Sequence, residues 1–422
     1  MASLPKMPKG KDLEDFVAAY YQAAGYFVEK NLVKQDEEKP MLELDAVVTD
    51  YPEGIPASTL VEVKSGDWGF SDLFKQLGHM TYVSIPRGDF VTTTIPKQRK
   101  LNFVTFARAE AAPLGIRLIY VDAPGNAGQA FAYNGYPQIN NDLALNVWRF
   151  SYWIERQMVE NVREFIKANE TSVAAKDAIR YYKLVNNAVF FVRDVDKRVR
   201  HLYSAYQKHP KLTLGACSEL DGNGYDPENA NPDSTRMREA IFKGKHDLLQ
   251  ACMYFEHRAR LSVLKCAVDY LCLKQSGKVL KQPVFFPNSF INGLRKIEAF
   301  PHFRKLPHFW QTFLWTWGGF LLTDRRKEEY EQLAAQTGIP EDHIDNALVL
   351  YEELFVGHWL ENIKNTHFLL LKMVPMPFRG IGAWHRLQRN TFKNYSEFGY
   401  DDFTSSDMAE WHTAAARLLE TK

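Results

Sequence analysis

Two hydrophobic periods divide the chain near residue 122. In the N-terminal stretch, Leu13, Phe16, Val17, Tyr20, Tyr21 and Ala24 recur at i, i+3, i+4 spacing and predict a helix over 12–24, stopped by Gly25. A strand is expected at 26–33, then a charged turn over 34–40. Further strands are expected at 42–49 and 59–65, joined by the Pro- and Gly-containing loop that starts at Tyr51. Ser71 is read as the cap of a helix running to about residue 83, with Leu73, Phe74, Leu77, Met80 and Tyr82 on its apolar side. The short β-branched run 90–94 reads as a strand, 97–112 as a helix and 116–121 as a last buried strand. The order α-β-β-β-α-β-α-β predicts an α/β N-terminal domain built on a mixed sheet, hairpin strands first and helical crossovers later.

From about residue 141 the helical period prevails, and a large, mainly α-helical region is expected to the end. Helices are predicted near 142–168, 172–208, 236–275, 288–298, 307–322, 325–337, 341–364 and 404–420. Aromatic rows such as Trp148, Tyr152 and Phe165 point to a bundle or an oligomer-forming surface. The small-residue stretch from Asp122 has turn chemistry, so the expected organisation is a domain over 1–124, a linker over 125–140 and a helical region over 141–422. The polar stretch 215–234 would divide that region in two. Its Asp221, Asn223 and Asp226 resemble a calcium loop, but the glycine and the closing glutamate are misplaced, so a mobile loop is expected.

Composition adds bounds. The 422 residues are 45% hydrophobic and 24% charged, which excludes disorder as a description of the whole chain. With 52 Lys+Arg against 51 Asp+Glu, bulk charge alone does not attract polyanions. Residues 1–124 carry 14 Lys+Arg and 17 Asp+Glu, leaving 38 and 34 for the remainder. An acidic N-terminal domain and a mildly basic remainder follow. The N-terminus lacks an apolar signal segment, and the most apolar window, 309–322, is too short to span a bilayer, so a cytoplasmic protein without membrane association is expected. Cys217, Cys252, Cys266 and Cys272 match neither zinc-site nor disulfide spacing and read as reduced core thiols, even with His246 and His257 nearby.

The chemistry concentrates on Asp45, Glu62 and Lys64. Glu62 and Lys64 stand two apart in an otherwise apolar strand, so both leave the same face, while Val61 and Val63 leave the other. An acid and a lysine there are costly unless they pair or bind something. Asp45 is embedded in the preceding strand, and a hairpin would bring it beside Glu62. Two carboxylates so close repel each other, and a divalent cation is the usual remedy. Glu-x-Lys also occurs at Glu37 and Glu420, but only the copy at Glu62 lies in a β-branched run that follows a strand with its own Asp.

These residues in this order resemble the PD-(D/E)xK, or restriction-endonuclease-like, nuclease superfamily, whose core is α-β-β-β-α-β with Asp on the second strand and Glu-x-Lys on the third. Asp45, Glu62 and Lys64 match that motif, although Leu44 stands where the family often has proline. Glu14 on the first helix, with Gly25-Tyr26-Phe27-Val28 after it, is similar to the opening of the methylation-dependent-restriction type. The resemblance spans roughly residues 10–122. It implies a metal-dependent nuclease hydrolysing phosphodiester bonds of DNA, and by analogy a role in defence against foreign DNA. Asp45, Glu62 and the Val63 carbonyl would hold Mg²⁺ or Mn²⁺, with Glu14 as a further metal ligand. Lys64 would orient water or stabilise developing charge, and Gln76 would be a polar catalytic residue on the following helix.

Two other readings compete: a catalytically silent nuclease fold that binds nucleic acid or a protein partner, and a nuclease directed at RNA. The helical region is expected to carry a homo-oligomer or partner contact. Basic segments at Lys197–His201, Arg295-Lys296, Arg304-Lys305, Arg325–Lys327 and Arg379–Arg389 read first as solvated helix faces. His302 and His308 read as loop residues leading into a buried helix. No P-loop or Gly-x-Gly-x-x-Gly element occurs, so any nucleotide-driven motor would be a partner.

Overall fold

The computed structural model describes residues 9–36, 39–97, 99, 102–123, 126–139, 189–208, 247–278, 288–315, 320–322, 326–354, 360–362 and 368–371, together with 152, 155, 156, 159, 163 and 167. Its N-terminal region runs α1 (Lys11–Ala23), β1 (Phe27–Asp36), β2 (Lys39–Asp50), β3 (Ala57–Lys64), α2 (Phe70–Val83), β4 (Gly88–Thr92), α3 (Asn102–Ala111) and β5 (Ile116–Tyr120). The expected element order is realised. Helix α3 is shorter than the run 97–112, because the chain after Pro96 first makes a turn, with the Arg99 N–H on the Pro96 carbonyl.

The five strands form one mixed sheet in the order β1-β2-β3-β4-β5. Short connections make β1–β2 and β2–β3 antiparallel, whereas the crossovers through α2 and α3 make β3–β4 and β4–β5 parallel. Opposite residues share a face. Val47 and Leu60 face α2 and α3, while Ala46 and Val61 face α1. Helix α2 lies close on β4 because of Gly88: a Cβ there would stand 2.6 Å from Met80 Sδ and 2.9 Å from Gln76 Nε2.

The stretch 125–140, expected as a linker, instead carries helix α4 (Ala127–Tyr133). Phe131 is fully buried and stacks on Tyr20 with ring centroids 3.8 Å apart. Tyr136 donates to the buried Asp89 carboxylate, which also takes Tyr21 and Arg117. Turn chemistry marks where a chain bends, and here the bend returns it onto α1.

Beyond, the described helices are α5 (Val195–Lys208), α6 (Asp247–Gln275), α7 (Asn288–Ala299), α8 (Leu306–Trp315), α9 (Arg326–Thr337) and α10 (Ile344–Leu354). Three helix expectations change. The run 172–208 is not a single helix among its described residues, since 190–194 are non-helical before α5 begins. The runs 307–322 and 341–364 end early, and a three-stranded antiparallel sheet follows from β6 (Phe320–Leu322), β7 (Leu360–Asn362) and β8 (Phe368–Leu371), in the order β6-β8-β7. A short apolar run such as Phe320–Leu322 does not reveal by periodicity which period it follows. The expected helix 404–420, the loop 215–234 and the basic stretch 379–389 lie outside the described residues.

One continuous buried cluster joins α1 and the inner sheet face to the helices that follow. The edge strand β1 is covered by α8: Gln311 accepts from the Val28 N–H at 2.8 Å and donates to the Val28 carbonyl at 2.7 Å, as another strand would. The loop between β2 and β3 is held as well, by Tyr51 donating to Asp269 and by Arg304 donating to the Pro52 and Gly54 carbonyls. Cys266 and Cys272 are buried free thiols, as read from their spacing. Among the described residues, no helix is long and apolar enough to cross a membrane.

Candidate active site at the open end of the second hairpin

The paired register of β2 and β3 ends at Ala46 opposite Val61. One step further, Asp45 comes level with Glu62, and the two strands no longer exchange backbone hydrogen bonds. The Asp45 side chain replaces the missing partner: its Oδ2 accepts from the Val63 N–H at 2.8 Å. The flanking residues of β3 face the other way, with the Leu60 N–H on the Arg87 carbonyl and the Lys64 carbonyl taking the Thr93 N–H. By strand geometry the Val63 carbonyl therefore turns toward β2 along with its N–H. Asp45, Glu62 and the backbone of Val63 meet at this point.

Glu62 is buried, at 5% exposure. Lys64 Nζ stands 3.1 Å from Glu62 Oε1 and 3.9 Å from Asp72 Oδ1. Asp72 lies in the first turn of α2 and also accepts from the Gly69 N–H, so the amine sits between β3 and the start of that helix. Glu14 arrives from α1, whose N-terminal Gly10 N–H donates to Ser65 Oγ at 2.9 Å and so ties the helix start to the end of β3. Lys11 spans Glu14 and Glu43, at 3.1 Å from each.

The electrostatics are those of crowded acids. Burial, then the charge of Glu62, pushes the Asp45 carboxyl up to about 6. Burial also raises Glu14, with Asp45 adding to the shift and Lys11 opposing it. Lys64 loses hydration, which pulls its amine down, but Glu62, Asp72 and Asp45 together offset this and the net shift is upward.

Among the described residues, no three His, Cys, Asp or Glu side chains form a ready-made metal cage. Asp45, Glu62 and the Val63 carbonyl still offer an oxygen-only donor set, which suits Mg²⁺ or Mn²⁺ and not a soft metal. Mg²⁺ keeps several of its waters and needs only one or two carboxylates. Burial first and Glu62 second raise the Asp45 carboxyl, and this oxygen-only donor set fits a hard divalent cation.

Gln76, the expected polar catalytic residue on the helix after the motif, has its amide nitrogen engaged by backbone. Its fully buried amide donates to the Leu60 carbonyl at 3.2 Å and the Asp89 carbonyl at 2.9 Å, bracing α2 across β3 and β4. Leu60 stands two residues before Glu62 on β3, and Asp89 lies on β4. Two further residues escaped the sequence reading. Asp72 stands one turn into a helix where an acid is common for dipole reasons, and Lys11 is one of many N-terminal lysines. Only an Asp three residues after Gly69 at a helix start signalled Asp72 at all. The expected basic patches are largely committed: Lys296 pairs with Glu353, Arg326 with Asp345, and Arg304 binds the loop after β2.

Compared with known proteins, the chain matches no family model, no curated protein and no solved structure.

Proposed function

We propose that the protein is a metal-dependent nuclease that hydrolyses phosphodiester bonds of DNA at Asp45, Glu62 and Lys64. The observation that carries this reading is the Asp45 carboxylate held on the Val63 N–H, level with the buried Glu62 and one residue from Lys64. The motif's resemblance to the PD-(D/E)xK superfamily supports it. Asp45, Glu62 and the Val63 carbonyl would hold Mg²⁺ or Mn²⁺, which when bound polarises a phosphate and lowers the pKa of a coordinated water. Lys64 presents a fixed ammonium to the negative charge that builds on the phosphoryl oxygens during in-line attack. Glu62 holds that ammonium in place, and Asp72 adds a weaker pull from the other side. Glu14 supplies a further acid that can accept a proton or bind an outer water. Gln76 acts through architecture, keeping α2 and its Asp72 at a constant distance from β3.

The test is cleavage of labelled DNA and RNA side by side, with Mg²⁺ or Mn²⁺. DNA is expected to be cut by the wild-type chain. Lys64→Ala is expected to lower the rate at least ~100-fold with an unchanged circular-dichroism spectrum, in line with loss of an electrostatic stabiliser. Equal cleavage by wild type and Lys64→Ala would remove the site assignment. Cleavage of RNA alone would transfer the same chemistry to the other polymer.

A further inference from the structure

Away from the acidic cluster, a cavity of about 240 Å³ lies between the sheet and the helices that follow it. Val47 of β2 and Ser58 of β3 form its floor, with Tyr82 at the end of α2. Phe190, Phe191, the cations Arg193, Arg198 and Lys265, and the acid Asp269 line the rest of the cavity. Ile55, 41% exposed, stands at the mouth.

The cations decide what such a cavity can hold. Lys265 is neutralised by Asp269 at 2.8 Å and Glu29 at 3.5 Å. The acids beside the arginines are taken as well: Asp194 by Lys197 at 2.6 Å, and Asp196 by Arg200 at 2.8 Å. Arg193 and Arg198 have no carboxylate partner among the described residues; besides carbonyls, Arg193 lies over the Tyr82 ring at 5.9 Å and Arg198 over the Phe190 ring at 5.5 Å. Arg193 donates to the Tyr82 carbonyl, and Arg198 donates twice to the Val192 carbonyl from Nε and Nη2. Two guanidiniums without a carboxylate partner thus line the cavity, Arg193 exposed and Arg198 half-buried, while the Asp269 carboxylate that also lines it is held by Lys265 and Tyr51. The arginines' planar donor forks match a phosphate dianion in charge and geometry.

The rest of the wall is aromatic and aliphatic. Phe191 and Tyr82 lie with ring centroids 6.4 Å apart, and Phe190 packs edge-on against Phe191. Such a wall favours a planar ring on the ligand beside the anion. Small-molecule sites usually fall in the range of roughly 300–1,000 Å³, so this volume limits the ligand to mononucleotide size or less.

We propose that this cavity binds a nucleoside monophosphate, its phosphate on Arg193 and Arg198 and its base against the Phe190, Phe191 and Tyr82 rings. The site is separate from the acidic cluster but shares strands with it. Val47 is two residues from Asp45 on β2, and Ser58 is four from Glu62 on β3.

Isothermal titration of the full chain with AMP, adenosine, inorganic phosphate and ATP tests this without relying on any cleavage activity. AMP is expected to bind at one site, with adenosine and phosphate each at least about tenfold weaker and ATP no tighter. Arg193→Gln removes one charge-assisted contact and is expected to weaken AMP about tenfold. Ile55→Trp, which narrows the mouth from an exposed loop, should do the same. Both positions are exposed, so the melting temperature should stay unchanged. The proposal fails if AMP gives no saturable heat at about 10 mM. It fails equally if phosphate alone binds as tightly as AMP, or if neither variant alters AMP affinity.

Discussion

At the scale of single residues, Asp45 holds its carboxylate where burial and the neighbouring Glu62 both oppose ionisation. An acid whose folded pKa is raised binds its proton more readily in the folded than in the unfolded chain. Its destabilising effect is absent below the unfolded value of 3.8 and is fully present once pH has risen past about 6. Asp45→Asn keeps an acceptor for the Val63 N–H while removing that charge. It is therefore expected to stabilise the metal-free chain at pH 7.5 by on the order of 1 kcal/mol, and to change little at pH 4. Thermal unfolding at the two pH values measures it, and a lower melting temperature for the variant at pH 7.5 would refute the repulsion account. Mg²⁺ should raise the melting point of the wild-type chain at pH 7.5 and leave Asp45→Asn unmoved. Asp45, Glu62 and Lys64 were legible because charged side chains interrupt β-branched runs. Asp72 and Lys11 were not, because an acid or a lysine at a helix start is ordinary until a partner stands opposite.

Elements show the same division. Strand β1 is an edge strand, and its Val28 backbone is satisfied by one side chain, Gln311 of α8, from 283 residues away. Replacing Gln311 by Leu would leave a buried N–H and carbonyl without partners, at about 1–3 kcal/mol each. Gln311→Leu is expected to lower unfolding free energy in urea by roughly 2–4 kcal/mol, and Gln311→Glu, which keeps the acceptor, by less. No change in the midpoint for Gln311→Leu would mean that β1 needs no cover. The strands and helices of the N-terminal domain follow their periods, since alternation and i, i+4 spacing are local properties. The helix ends at Trp315 and Leu354 depart from the pattern, because three short segments, apolar in β6 and β8, find each other across distance and form a sheet.

For the whole molecule, the α/β unit is not held by its own residues alone. Its inner face belongs to the buried cluster that continues through α6, α8 and α10, and the loop after β2 is fastened by Asp269 and Arg304. Residues 9–139 expressed alone would expose that face and the β1 edge. The fragment is expected to aggregate or to lack a cooperative thermal transition. A monodisperse fragment with a sharp transition would show that the α/β unit folds independently.

Taken by itself, the sequence determined the order of elements around the sheet and the strands on which Asp45, Glu62 and Lys64 stand. Hydrophobic period and strand parity are written in neighbouring residues. Only the tertiary structure decided that β2 and β3 separate just beyond Ala46, so that Asp45 grips the Val63 N–H. It alone decided that Gln76 braces β3 against β4, and that two arginines share a cavity with three aromatic rings. Those outcomes depend on which distant groups take up each hydrogen bond and each charge, and no local spacing encodes that choice.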